Sequence, residues 1–108
     1  MSVILSAPIA AYFAADKGDG KAIAKCFTDA AIVKDEGHIY NGRAAIAAWR
    51  TATSAKYNYT SEPVDVKHKD GKTVVTSHLV GDFPGSPVDL RYFFVIEGDK
   101  IASLEIIA

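Results

Sequence analysis

The sequence predicts an α+β fold in which helices come first and a curved antiparallel sheet follows. Three observations carry this. Apolar residues recur at helical spacing in the first half of the chain, including Ala45, Ala48, Trp49 and Ala52 at i, i+3, i+4 and i+7. From Tyr59 onward the texture changes to runs rich in Val, Ile, Tyr, Phe and Thr, the residues that suit a pleated sheet. Short turn signals separate those runs, and short links between successive strands require antiparallel neighbours. With 108 residues there is room for one hydrophobic core, so the expected unit is a single domain over 1–108.

Ser6 is placed to cap a first helix, with Pro8 tolerated in its first turn. Ile9, Tyr12 and Phe13 make the apolar stripe of that helix, and Gly18 to Gly20 end it. A second helix is expected from Lys21 to Phe27, presenting Ile23, Cys26 and Phe27. Two short strands follow, Ala31–Lys34 and His38–Asn41, joined by the Glu36-Gly37 turn signal. Asn41-Gly42 then opens a long helix running to about Tyr57. The late strands read as Tyr59–Lys69, Thr73–Phe83, Val88–Glu97 and Lys100–Ile107. Asp70-Gly71 and Gly98-Asp99 are tight links, and Pro84-Gly85-Ser86-Pro87 is a stiffer one. Strands of about ten residues would run roughly 33 Å, so the sheet is expected to coil around the helices.

Composition excludes several functional classes. Twelve basic and thirteen acidic residues leave a net charge of −1, with no clustered positive stripe of the kind that binds nucleic acid. No apolar run approaches the length of a bilayer span, and the apolar N-terminus lacks a basic leading segment. The single cysteine, Cys26, excludes an internal disulfide and sits among apolar neighbours, so a reducing cytoplasm is the expected setting. Asp35, His38, His78 and Asp82 are the conceivable metal ligands, but no compact ligand motif joins them, so neither metal nor other cofactor is expected.

The run F-T-D-A-A-I-V-K-D…N-G-R-A-A-I-A-A-W, from Phe27 to Trp49, resembles the nuclear-transport-factor-2-like superfamily. That group includes the SnoaL-like polyketide cyclases and the ketosteroid isomerases. The resemblance extends from Ile9 to Ile106 and implies a cone-shaped, cystatin-like α+β roll, with helices closing the concave side and a pocket at the open end. It further implies a small, largely apolar ligand and general acid/base chemistry next to a carbonyl, by an isomerase or a cyclase. The alternative is a non-catalytic binding or assembly module built on the same fold.

Candidate site residues follow from both lines of reasoning. Asp35 ends an apolar strand, where desolvation at the rim of an apolar cone would make it a better base. The run Val33-Lys34-Asp35-Glu36 also resembles the isomerase V-x-D-P segment that carries the base, with Glu36 in place of proline. Tyr12, in Ala11-Tyr12-Phe13, resembles the tyrosine that donates to a forming oxyanion, and as a helical aromatic it equally suits the core. The isomerases place a protonated Asp on a late strand. Ser86-Pro87-Val88-Asp89 resembles that run, whereas counting back from Gly98-Asp99-Lys100 puts Arg91 there. Either Asp89 or Arg91 is then the inward residue, and an inward Arg91 would bind a carboxylate or an enolate.

His78 and Asp82 share the parity of Val74, Thr76 and Val80, while Ser77, Leu79 and Phe83 form the other face; the sequence leaves open which face points inward. His78 is a catalytic candidate. His38, Trp49, Tyr59, Asp82 and Arg91 are candidates for ligand contact. An epoxide-hydrolase reading would need an Asp-Arg-Asp set, which Asp35, Arg91 and Asp82 supply only loosely. In Val88–Glu97 both faces carry apolar residues, with Phe93 and Val95 opposing Leu90, Tyr92 and Phe94. Helices cover one face, and a second subunit is expected on the other, giving a homodimer.

Overall fold

The computed structural model describes the backbone of residues 4–15, 20–56 and 58–108, and the side chains of all of these except 53–56. Its elements are α1 (Ala7–Ala15), α2 (Gly20–Ala24), β1 (Phe27–Asp35), β2 (His38–Asn41), α3 (Gly42–Lys56), β3 (Tyr59–Lys69), β4 (Lys72–Gly81), β5 (Val88–Glu97) and β6 (Lys100–Ile107). Six strands form one curved sheet in the order β2-β1-β6-β5-β4-β3. The expected meander β3-β4-β5-β6 is antiparallel throughout, whereas β1 lies parallel to β6. The predicted glycine-marked end of the first helix lies partly outside the described residues, as does the predicted helix limit at Tyr57.

α1 starts where expected, with the Ser6 carbonyl accepting from Ala10 N at 2.8 Å. α2 does not reach Phe27. It ends at Ala24, and β1 begins at Phe27, four residues before the predicted strand. The reason is the partner strand. Ile101 N donates to the Cys26 carbonyl at 2.8 Å, and Phe27 pairs with Ile101, so β6 draws this backbone into the sheet. A register shift between Phe27 and Ile32 absorbs the irregularity. β4 likewise stops at Gly81 rather than Phe83.

α3 is turned relative to the predicted face. Ile46, Trp49 and Arg50 are buried, whereas Ala48 and Ala52 are exposed and Ala45 is half-buried. Alanine-rich helices give a weak periodic signal, because small side chains add little area to either face. Ile46 and Trp49, three apart, set the phase. Arg43 ties the first turn of α3 to β1, donating to the Phe27 carbonyl at 2.9 Å and pairing with Asp29 at 2.7 Å.

The core lies between the helices and the concave face of the sheet. Ile9, Tyr12, Ile23, Phe27, Val33, Ile46, Val75, Phe94, Ile101 and Leu104 are fully enclosed. Tyr12 stands in an edge-to-face cluster with Phe13 and Phe94, ring centroids 5.2 and 5.6 Å away. Gly20 permits α2 to meet α3, because a Cβ there would collide with the Ala47 carbonyl oxygen and Thr51 Oγ1. Gly20→Ala should therefore destabilise the fold by about 1–3 kcal/mol, readable as a lower urea midpoint with unchanged slope.

Candidate functional site

Strand parity delivers Asp35 to the concave side. Ala31 and Val33 are buried against the helices, and two residues further on Asp35 is half-buried at the end of β1. The Glu36-Gly37 turn that follows has φ of 53° and 80°, both left-handed, as a two-residue hairpin with the sheet's own twist requires. α3 crosses above this strand end and lowers Trp49 and Arg50 toward it. Trp49 Nε1 donates to Asp35 Oδ2 at 3.0 Å. Arg50 is only 5% exposed, its guanidinium carbon 5.1 Å from the Trp49 ring centroid and 6.0 Å from that of Tyr59. Its Nη2 donates to the Tyr59 hydroxyl.

These groups line one wall of a cavity of about 410 Å³. Leu79, Val88, Leu90, Tyr92 and Ile106 supply the sheet wall, and Phe83 meets Tyr59 edge-to-face at 6.2 Å. Exposed Glu36, Pro84 and Gly85 stand at its rim. The volume falls within the range of small-molecule sites, and a mostly apolar lining with a few convergent polar groups is their usual make-up.

Burial raises the Asp35 pKa above the ordinary aspartate value, because the charged form loses hydration. The Trp49 hydrogen bond opposes this, neighbouring Glu36 adds to it, and Arg50 and His38 oppose it. Desolvation is the largest of these effects.

The structure brings Asp35, Trp49 and Tyr59 together and separates the other predicted residues from them. Tyr12 is 1% exposed within the aromatic core and does not line the cavity. Val75, Ser77 and Leu79 are the inward residues of β4, so His78 faces the outer side. There it is exposed, and its Nδ1 lies 2.7 Å from Asp89 Oδ1. Neither Asp89 nor Arg91 points inward, because Leu90 and Tyr92 take the inward places on β5. Arg91 instead donates to the Ala108 carbonyl oxygen at 3.4 Å and lies over the Phe93 ring. Asp82 accepts from Asn58 N at 2.9 Å, fastening the start of β3 to the end of β4. His38 pairs directly across the hairpin from Asp35 but is exposed and outside the cavity lining. The Asp35, Arg91 and Asp82 set is thus not assembled. Among the described residues no three His, Cys, Asp or Glu side chains are grouped to hold a metal ion. Nor is any helix among them long and apolar enough to cross a membrane. Cys26 is a free, buried thiol whose pKa burial pushes up, with Lys100 opposing.

Arg50 was the residue that sequence reasoning missed. A search for apolar stripes passes over a charged side chain, yet Arg50 lies four residues after Ile46 and beside Trp49, on the face their spacing marks as buried.

The profile of the SnoaL-like domain matches residues 9–104. This chain belongs to the SnoaL-like domain family. A candidate polyketide cyclase from Sinorhizobium meliloti is 38% identical, with 95% of each chain covered and a TM-score of 0.89. Two further structures share the fold at lower identity. A protein of ketosteroid-isomerase-like fold from Catenulispora acidiphila, solved with trimethylamine, is 19% identical, covering 94% of this chain and 84% of its own, with a TM-score of 0.81. A cystatin-fold protein from Novosphingobium aromaticivorans is 20% identical, covering 97% of this chain and 100% of its own, with a TM-score of 0.76. No functionally curated protein matches the chain. The SnoaL-like assignment and the cone-shaped α+β roll expected from the sequence both hold.

Proposed function

We propose that this SnoaL-like domain binds a small, largely apolar carbonyl compound in the 410 Å³ cavity and that Asp35 removes a proton next to the carbonyl. The observation that carries the reading is Asp35 itself, half-buried in an apolar-walled cavity with one carboxylate oxygen held by Trp49 Nε1. That bond fixes Oδ2 and orients Oδ1 as proton acceptor. The substrate C–H bond breaks, its proton passes to Oδ1, and the electron pair moves onto the carbonyl oxygen as an enolate. Return of the proton to another carbon completes an isomerisation; attack of the enolate carbon on a second carbonyl closes a ring, and the proton held by Asp35 passes to the alkoxide so formed. The likeness to the Sinorhizobium meliloti candidate cyclase favours the second outcome. Tyr12 and His78 receive no chemical step, since neither lines the cavity.

Proton abstraction can be tested without the natural substrate. A panel of cyclic ketones and 1,3-dicarbonyl compounds incubated with the protein in D2O should show accelerated exchange at the acidic carbon by NMR. Asp35→Asn should lower that acceleration by about 10²–10⁴-fold, the usual worth of a positioned base. Exchange that is equally fast with Asp35→Asn would remove the proposed base and leave a binding module.

We also propose a homodimer formed through the outer face of the sheet. Its support is the apolar side chains on that face: Ile32, Val80 and Ile107 are 44%, 46% and 37% exposed, and half-buried Phe93 and Val95 share the face with them. Phe93→Glu should yield monomers by light scattering, and a wild-type protein that is monomeric at micromolar concentration would refute the pairing.

A further inference from the structure

The link between β4 and β5 covers 82–87 and supplies Phe83, Pro84 and Gly85 to the cavity. Hairpin links usually have roughly two to five residues, and a longer one has many conformations unless something restrains it. Here the restraint begins at the first residue. Tyr59 pairs with Gly81 at the last rung of the β3–β4 ladder. One position further, Asp82 N donates to the Asn58 carbonyl at 3.0 Å, and Asn58 N donates to Asp82 Oδ1 at 2.9 Å. A carboxylate oxygen thus takes the place of a main-chain acceptor, so the backbone can leave the sheet after Asp82 while Asn58 N stays bonded. Two more bonds close the link: Gly81 N donates to Ser86 Oγ at 2.9 Å, and Ser86 N to the Phe83 carbonyl at 3.3 Å. Gly81 lies so close to β3 that a Cβ would stand 2.3 Å from the Asn58 carbonyl oxygen.

We infer that Asp82, which does not line the cavity, is a positioning residue for it: its carboxylate holds Phe83 edge-on to Tyr59 as a wall already formed before a ligand arrives. This rests on the reading that the cavity takes a small, largely apolar ligand, and adds a residue outside the cavity that sets how tightly it is held. A wall that is already ordered spares the ligand the entropy of ordering it, so its contacts appear as affinity. Without the carboxylate, Asn58 N turns to water, the link regains alternative conformations, and part of that affinity is lost. Asp82 is exposed at the end of the ladder, so the loss falls on the link and the ligand rather than on the paired strands. Its effect on the ligand passes through Phe83.

4-tert-Butylcyclohexanol tests this, being neutral, apolar and without a carbonyl, so its binding does not depend on proton removal by Asp35. The indole N–H of Trp49, the one tryptophan of the chain, gives a single NMR signal at the cavity on which to follow the titration. Asp82→Ala should keep a urea midpoint close to that of the wild type and weaken binding about three- to tenfold. Asp82→Asn, which keeps an oxygen acceptor for Asn58 N, should stay within about twofold of wild type. Phe83→Ala should weaken binding at least as much as Asp82→Ala does. Adding Asp82→Ala to Phe83→Ala should then weaken it no further, since the two residues act as one unit. Additive losses, an Asp82→Asn variant as weak as Asp82→Ala, an Asp82→Ala variant that binds like wild type, or no saturable binding at millimolar concentration would overturn the inference. The base reading fails on a different result, carbon exchange that ignores Asp35, which leaves binding of the alcohol untouched.

Discussion

Trp49→Ala is expected to lower the unfolding free energy by about 3–5 kcal/mol, the range for emptying a buried large aromatic site. Trp49 is 5% exposed, and its ring meets Tyr40 at 5.8 Å and the Arg50 guanidinium at 5.1 Å. Removing it leaves a void under α3, deprives Arg50 of its stacking surface, and takes away the donor that holds Asp35 Oδ2. The last effect is separable. Trp49→Phe keeps most of the volume and loses the N–H, so it should cost about 1–3 kcal/mol, the worth of a hydrogen bond to a charged group. Because the Trp49 bond opposes the elevation of the Asp35 pKa, Trp49→Phe, which keeps the carboxyl buried, should move the Asp35 titration further upward in carboxyl NMR. A change within about 0.5 kcal/mol for Trp49→Ala in urea unfolding would contradict the burial.

Asp35→Asn is expected to raise stability at neutral pH while removing the proposed turnover. The folded pKa of Asp35 lies above its unfolded value of about 3.8, chiefly through burial. A carboxyl with a raised folded pKa contributes stability that is fully present below the unfolded pKa and is lost as pH rises through the folded one. At neutral pH the ionised group therefore opposes folding. Asparagine keeps an oxygen acceptor for Trp49 Nε1 without the charge, and it forfeits only the attraction of Arg50 and His38, which are smaller effects than desolvation. The difference in unfolding midpoint between variant and wild type should consequently be near zero at acid pH and grow as pH rises through the Asp35 titration. A variant less stable than wild type at pH 7, with an ordinary or depressed Asp35 titration, would make Asp35 a turn-forming carboxylate and deprive the function of its base.

Several elements were legible in the sequence for a reason common to them. The two-residue signals Glu36-Gly37 and Asp70-Gly71 demand left-handed backbone, and the chain takes it at all four positions. The limits of β3, β5 and β6 follow from β-branched and aromatic runs bounded by such turns. Asp35 ends β1 and Tyr59 opens β3, while Trp49 stands at helical spacing from other apolar residues inside α3, so each is marked by a local pattern. Where the sequence was silent, the deciding partner lay far along the chain. β1 begins at Phe27 because Ile101, seventy-four residues later, pairs with it in parallel, and no local pattern announces a parallel neighbour.

Local chemistry thus determined what can be read from near neighbours: helices first, a four-stranded meander afterwards, the hairpin turns, and an acid at the end of an apolar strand. Tertiary structure decided which side of each strand is inside. β4 alternates between two sets of comparable mixed polarity, and only the enclosure of Val75, Ser77 and Leu79 on the concave side sends His78 outward to Asp89. The same packing turns α3 so that Arg50, a residue whose charge argues for solvent, enters the cavity beside Tyr59. Period-two and period-3.6 patterns specify that a face exists, but a charged side chain is retained inside only when stacking and hydrogen bonding offset its lost hydration, and those partners come together only in the folded chain.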